Sequence, residues 1–316
     1  MKSAVDSGVL TGKVSRPIST HHLMHLAMLT AAACWAANMV AVKEALFGFT
    51  PLSLTLVRGA ASAFVFGALF LSLRDLSLLR LARERWFRFA VIAFFGITAN
   101  QILFIEGVAR TNVLHAALIV AAEPIMVLVL AVSMRLEVMT ALKVTGMVIS
   151  FAGVLLLSYG KPLPGEQGYW VGDMILVAED LVFAYYTILM KEVAEQYDAI
   201  TLNTLIYGLG ALLMIPFCAG ELWSQRWTHI PVRAWLGLGF MTFFSSVIGY
   251  LLFAYALKGL TASRVAAFSY FEPVVAMALG IWLLHDRLTL RGIFGGVLIL
   301  LGVYFTERER GEEPAG

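Results

Sequence analysis

Residues 116–132 read AALIVAAEPIMVLVLAV, and residues 266–281 read AAFSYFEPVVAMALGI. Each stretch carries a Glu-Pro pair inside an apolar run, Glu123-Pro124 in the first and Glu272-Pro273 in the second, 149 positions apart. The same offset holds beyond the pairs. Glu137, Thr140, Gly146 and Gly153-Val154 meet Asp286, Thr289, Gly295 and Gly302-Val303. A Glu-Pro pair can recur by chance, but six coincidences at one offset mark an internal repeat.

Working outward from these stretches, the chain divides into apolar runs near 24–46, 52–73, 87–108, 113–134, 138–158, 170–190, 200–220, 234–257, 262–284 and 288–306. A bilayer core of about 30 Å needs about 20 apolar residues as helix, because the backbone must satisfy its own hydrogen bonds in hydrocarbon. The composition agrees: 60% of residues are hydrophobic and 14% charged, against about 45–50% and about 25% in soluble domains. The expected fold is therefore all-α, a polytopic membrane protein of ten transmembrane helices. Five helices per half is an odd number, so the second copy enters from the opposite side of the membrane, giving two five-helix inverted repeats. The segments are a tail at 1–23, a first repeat at 24–159, a connecting loop at 160–169, a second repeat at 170–306 and a tail at 307–316. The loop contains Gly160-Lys161-Pro162-Leu163-Pro164-Gly165, the richest Pro and Gly segment of the chain.

Lys and Arg residues orient the bundle. Fifteen fall on the side of both tails and seven on the other, with Arg58 inside the second run. Both termini are thus expected in the cytoplasm, in the bacterial inner membrane, with no cleaved targeting sequence. The net charge of +2 gives no basic field for nucleic acid. Cys34 and Cys218 lie in apolar runs without His or Cys neighbours, so neither a disulfide nor a metal site is expected.

Three features give the chain a resemblance to a known family. The first run reads Trp35-Ala36-Ala37-Asn38 and ends in Lys43, like a W-x-x-N…K pattern; the second carries Arg58; and the fourth and ninth carry the Glu-Pro motif followed by a short acidic turn, as in Leu284-His285-Asp286-Arg287-Leu288-Thr289. On these residues the chain resembles the drug/metabolite transporter superfamily, specifically its ten-helix proteins with two EamA-type repeats, over about residues 24–306. The resemblance implies a secondary transporter, many members being bacterial exporters of amino acids and related metabolites and others moving nucleotide sugars or cations. One departure is clear. The family's sixth helix is usually apolar through its middle, whereas Glu179-Asp180 stand near the centre of run 170–190.

A charge at the bilayer centre costs on the order of 2.5–3.5 kcal/mol on insertion scales, so polar residues there indicate a cavity or a buried partner. The candidates for substrate binding are Asn38, Arg58, Gln101, Glu123, Glu179, Asp180, Tyr270 and Glu272. Each has a plainer alternative. Asn38 and Gln101, like Asn100, could hydrogen-bond a neighbouring helix. Arg58 could snorkel to the interface. Glu123 and Glu272 could satisfy backbone groups freed by the following prolines, and Tyr270, with Tyr185, Tyr186 and Tyr255, could line the cavity or pack in the core. Glu179 and Asp180 point about 100° apart. Two such carboxyl groups at low dielectric disfavour double ionisation, which suits a coupling proton or a substrate ammonium. Asp180 is expected to be the more open, because Ala184 and Thr187 on its face are small, whereas Glu179 shares a face with Phe183 and Tyr186.

These readings favour an alternating-access transporter, an exporter of amino acids or related small metabolites, acting as a monomer or homodimer with a small-molecule substrate and the lipid bilayer as partners. The alternatives are an importer or exchanger of another small polar solute such as a nucleotide sugar or amine, an intramembrane enzyme, and a channel. No cofactor is expected: no P-loop is present, so ATP coupling within the chain is excluded, and no GxSxG pattern supports an enzyme.

Overall fold

The computed structural model describes residues 18–74, 85–111, 113–158, 169–275, 278 and 290–308. Ten helical spans lie within them: α1 (Ile18–Ala45), α2 (Pro51–Leu73), α3 (Trp86–Arg110), α4 (Val113–Val120 and Glu123–Ser133), α5 (Ala141–Ser158), α6 (Trp170–Ala194), α7 (Ala199–Ser224), α8 (Val232–Leu257), α9 (from Ala262–Ala267 through Phe268–Tyr270 to 275) and α10 (Leu290–Arg308). No strand occurs among the described residues. The 160–168 part of the connecting loop, residues 75–84 of the arginine-rich loop, and Asp286 and Thr289 of the repeat lie outside them.

Five spans, α1 from His22 to Ala45, α2, α3, α7 and α8, are apolar helices of 23 to 26 residues, long enough to cross a bilayer. Large apolar side chains such as Phe64, Leu212 and Trp170 are well exposed on the outside of the bundle, as a surface facing lipid requires. Inside, Met28, Phe66, Ile97, Tyr186, Tyr207 and Phe253 form the main core. Helix α1 starts six residues ahead of its apolar run because the backbone continues through polar Ser19 and Thr20.

The packing of α5 on α10 settles how the halves are related. Gly146 lies against Gly302, and Gly153 lies against Gly295, so close that a Cβ on Gly146 would sit 2.6 Å from the Gly302 carbonyl oxygen and one on Gly153 2.7 Å from that of Gly295. Under the offset of 149, Gly146 corresponds to Gly295 and Gly153 to Gly302, so each contact is the image of the other. Midway between them, Ser150 Oγ donates to the backbone oxygen of Ile299 at 3.2 Å, a residue 149 positions on. A residue touching its own repeat mate marks a two-fold axis. The paired positions run in opposite directions along the two helices. They are antiparallel, so the axis crosses them and lies in the membrane plane, as an inverted repeat demands.

Turn chemistry also joins the halves. After α4 the chain leaves by a Schellman turn: Leu136 N–H donates to Ala131 O at 2.9 Å and Arg135 N–H to Val132 O at 3.0 Å, with Arg135 at φ 59° in the left-handed position usually held by glycine. The turn brings Glu137 to the start of α9. There its Oε1 accepts from Ser263 N–H at 3.0 Å and its Oε2 accepts from the Ser263 hydroxyl and from Lys143 Nζ, the latter at 2.8 Å. The acidic turn of the first repeat therefore caps a helix of the second.

Polar links tie the helix ends. At the arginine-rich end, Arg88 pairs with Glu192 at 2.5 Å and Arg74 with Asp198 at 3.0 Å. Asp198 also caps α7 through Ile200 and Thr201 N–H. Burial acts to raise its proton affinity, but the hydrogen bonds from Thr201 and Arg74 outweigh it and hold the carboxyl below its ordinary value. At the far end, Lys43 Nζ donates to the carbonyls of Val108 and Thr111 at 2.5 and 2.7 Å, capping the C-terminus of α3.

Candidate functional site

Three local irregularities create space at mid-length of the bundle. Helix α4 breaks at 121–122, where Ala122 N–H bonds back only three residues to Ile119 O. Pro124 has no N–H to continue the ladder, so Glu123 starts a new helical segment. Helix α9 tightens to a 3₁₀ turn at Phe268–Tyr270, just ahead of Glu272-Pro273 and at the repeat-related place. Finally, α3 and α8 each widen into a π-helix, at Phe94–Ala99 and Met241–Gly249. Shifting the first of these by 149 places it at 243–248, inside the second. A π-helical stretch re-aims side chains and loosens the normal carbonyl ladder, and is often found at functional sites. The Ser245 carbonyl accordingly takes a hydrogen bond from the Trp35 indole at 3.2 Å.

The cavity that results measures about 540 Å3 including the open space at its mouth. Asn38, Arg58, Gln101, Glu123, Glu179, Asp180 and Glu272 all line it, together with Trp35, Asn100, Phe183, Ser245 and Tyr250. Seven of the eight residues singled out from the sequence thus meet in one place, drawn from α1, α2, α3, α4, α6 and α9.

Tyr270 is the exception. The 3₁₀ turn rotates it away from the cavity and into an apolar cluster with Ala121, Leu128, Met147, Ile299 and Val303, where it is fully buried. Glu272, two residues on and about 200° round the helix, faces the cavity instead. The other tyrosines proposed as a lining do not line it either. Tyr186 stacks on Phe253 in the core, and Tyr185 packs edge-on against Phe95. The aromatic walls are Trp35, Phe104, Phe183 and Tyr250.

Arg58 is 3% exposed, so it does not snorkel. Its Nε donates to Ser246 Oγ at 2.9 Å and its Nη2 to Ser245 Oγ at 3.1 Å. Nη1 has no protein partner, and no carboxylate pairs with the guanidinium among the described residues. The fork is oriented by hydroxyls that leave its charge uncompensated.

The carboxyl groups divide in their partners. Glu179 Oε1 accepts from Asn100 Nδ2 at 2.5 Å, and Tyr250 OH donates to Asn100 Oδ1 at 3.3 Å, so Glu179 is held in a chain of side chains. Glu123 Oε2 accepts from Ser269 Oγ at 3.0 Å. No protein group donates to Asp180 Oδ2 although the atom is buried. Asp180 is 2% exposed and Glu179 6%, so Asp180 is not the more open of the two; Ala184 on its face packs in a cluster with Val127, Ala131 and Ala266. Serines 245 and 246 escaped the sequence reading, although two hydroxyls in mid-span were the available signal; their turn toward Arg58 depends on the π-helix, which no residue pattern announced.

An all-α bundle of antiparallel repeats around a mid-depth polar cavity is the build of a multi-pass membrane transporter. The chain belongs to the EamA-like transporter family, which it matches at residues 22–159 and again at 170–308. It is similar to an uncharacterized transporter of Archaeoglobus fulgidus, 27% identical over 276 residues that cover 87% of this chain and 95% of the relative. It is also similar to the uncharacterized transporter YyaM of Bacillus subtilis, 26% identical over 223 residues, 70% of this chain and 73% of the relative. A solved crystal structure 16% identical to it superposes with a TM-score of 0.73, covering 89% of this chain and 95% of the other, a likeness of fold.

Proposed function

We propose that this transporter works by alternating access and exports amino acids or related small metabolites. The observation that carries the reading is the placement of the cavity. It lies where the two inverted halves meet, so exchanging the conformations of the halves would move its opening from one face to the other. The link from Arg88 in the first half to Glu192 in the second is of the kind that forms and breaks as gates alternate. Arg58 supports recognition of an anionic group, and the carboxyl groups support an ammonium or a coupling proton.

Purified protein in proteoliposomes preloaded with amino acids should accelerate uptake of labelled amino acid by counterflow, over a panel that includes amines and sugars. If no amino acid or related metabolite exchanges, the reading fails.

The fifteen-to-seven count of Lys and Arg supports an inner-membrane orientation with both termini in the cytoplasm. A single cysteine placed in the 74–88 loop, with Cys34 and Cys218 replaced, is expected to resist a membrane-impermeant thiol reagent in intact cells and to react once the membrane is opened. Labelling in intact cells would reverse the orientation.

A further inference from the structure

The charged groups of the cavity are unequal in number and separated in space. Glu123, Glu179, Asp180 and Glu272 supply four carboxyl groups, and Arg58 supplies the one basic group among the lining residues. Asp180 lies near enough to Glu123, Glu179 and Glu272 to feel their charge, while the ionisable neighbours of Arg58 are Tyr207 and Tyr250. The cavity is therefore bipolar, with a basic pole between α2 and α8 and an acidic pole between α4, α6 and α9.

The two poles also offer unfilled valences. At the basic pole, two serine hydroxyls fix the guanidinium and leave Nη1 free, a donor suited to a carboxylate. At the acidic pole, Asp180 is 2% exposed with Oδ2 unpartnered, and Glu272 lines the same pole. A buried acceptor without a donor is costly, and an occupant that brings N–H groups relieves it. Sugars and neutral metabolites bring hydroxyls but no positive charge. A neutral zwitterion brings one ammonium group, which can meet only part of a pole built of four carboxyl groups.

We propose that the substrate is an amino acid with a second amino group on its side chain, its carboxylate held by Arg58 and its ammonium groups held by Asp180, Glu272 and Glu123. The inference deepens the transport reading above and rests on it. Trp35, Phe183 and Tyr250 wall the same cavity, and aromatic faces attract ammonium groups in a desolvated site. Lysine fits this pattern of charges, whereas norleucine has the same carbon stem without the terminal ammonium.

Counterflow with the full chain in proteoliposomes compares these two directly. Lysine is expected to exchange at least tenfold faster than norleucine. The Asp180→Asn variant should bring the two rates within about twofold of each other, with thermal stability in detergent held near wild type. Norleucine exchange equal to or faster than lysine in the wild-type chain overturns the inference and leaves the transporter reading standing. Absence of exchange for every amino acid and amine overturns the reading on which it rests. Should Asp180→Asn not fold, lysine thermal stabilisation of the wild-type protein, with none from norleucine, carries the same decision.

Discussion

Replacing Arg58 with lysine is expected to lower transport roughly 10- to 100-fold while the protein still accumulates in the membrane. The estimate follows from the loss of charge-assisted hydrogen bonds, each worth about 1.5–3 kcal/mol, where about 1.4 kcal/mol is tenfold in rate. Lysine keeps the positive charge but not the planar fork, so it cannot bond Ser245 and Ser246 while presenting a further N–H to the cavity. The measurement is counterflow normalised to the amount of monodisperse protein. A wild-type rate would assign Arg58 to packing between α2 and α8 and remove it from substrate recognition.

The second large effect is structural. Gly302→Leu should prevent accumulation of folded protein, and Gly302→Ala should cost about 1–3 kcal/mol by overpacking. At Gly302 even a Cβ would meet the Gly146 carbonyl oxygen and Ser150, and the backbone of α5 cannot retreat without breaking the two-fold contact around Ser150 and Ile299. Gly67 provides the control, because a Cβ there meets nothing within 4 Å. Gly67→Ala should leave the thermal midpoint unchanged or raise it, since alanine is the better helix former. Equal midpoints for the two alanine variants would show that the α5 to α10 contact is not a fixed point of the fold.

The contrast between these two sites indicates how the molecule divides its work. Helices α5 and α10 meet through small residues with backbone close to backbone, a contact that resists sliding. The cavity lies away from that seam, among helices that are broken or widened. Glu123 and Glu272 sit at the junction of the two regimes, each one residue before a proline and within two residues of a break. Their recurrence was visible in the sequence, and the structure explains it: the repeat places an interrupted helix on each side of the same cavity.

Sequence reasoning located the polar side chains well because charge inside an apolar run is unmistakable and has few tolerable destinations. Seven of those side chains reached the cavity. Tyr270 did not, because a tyrosine is stable both in a cavity wall and in a packed core, and only the 3₁₀ turn chose between them. The argument that small residues leave room beside Asp180 failed for a related reason. A small residue permits either a void or a closer neighbour, and Val127 and Ala131 took the closer approach to Ala184.

The sequence by itself determined the ten spans, the five-helix repeat and its inversion, since those follow from apolar length, a fixed offset and an odd count of crossings. It also determined that acidic groups would be buried, because no helix can hold Glu179 and Asp180 at mid-span and expose both to water. Tertiary structure alone decided which valences remain open. Asn100 and Ser269 each donate to one oxygen of Glu179 and Glu123 respectively, serines from α8 turn the Arg58 fork, and Asp180 Oδ2 is left without a donor. Those outcomes depend on π-helical turns and on contacts between residues 79 to 188 positions apart, and a pattern of residue types carries no information on either until the helices are packed.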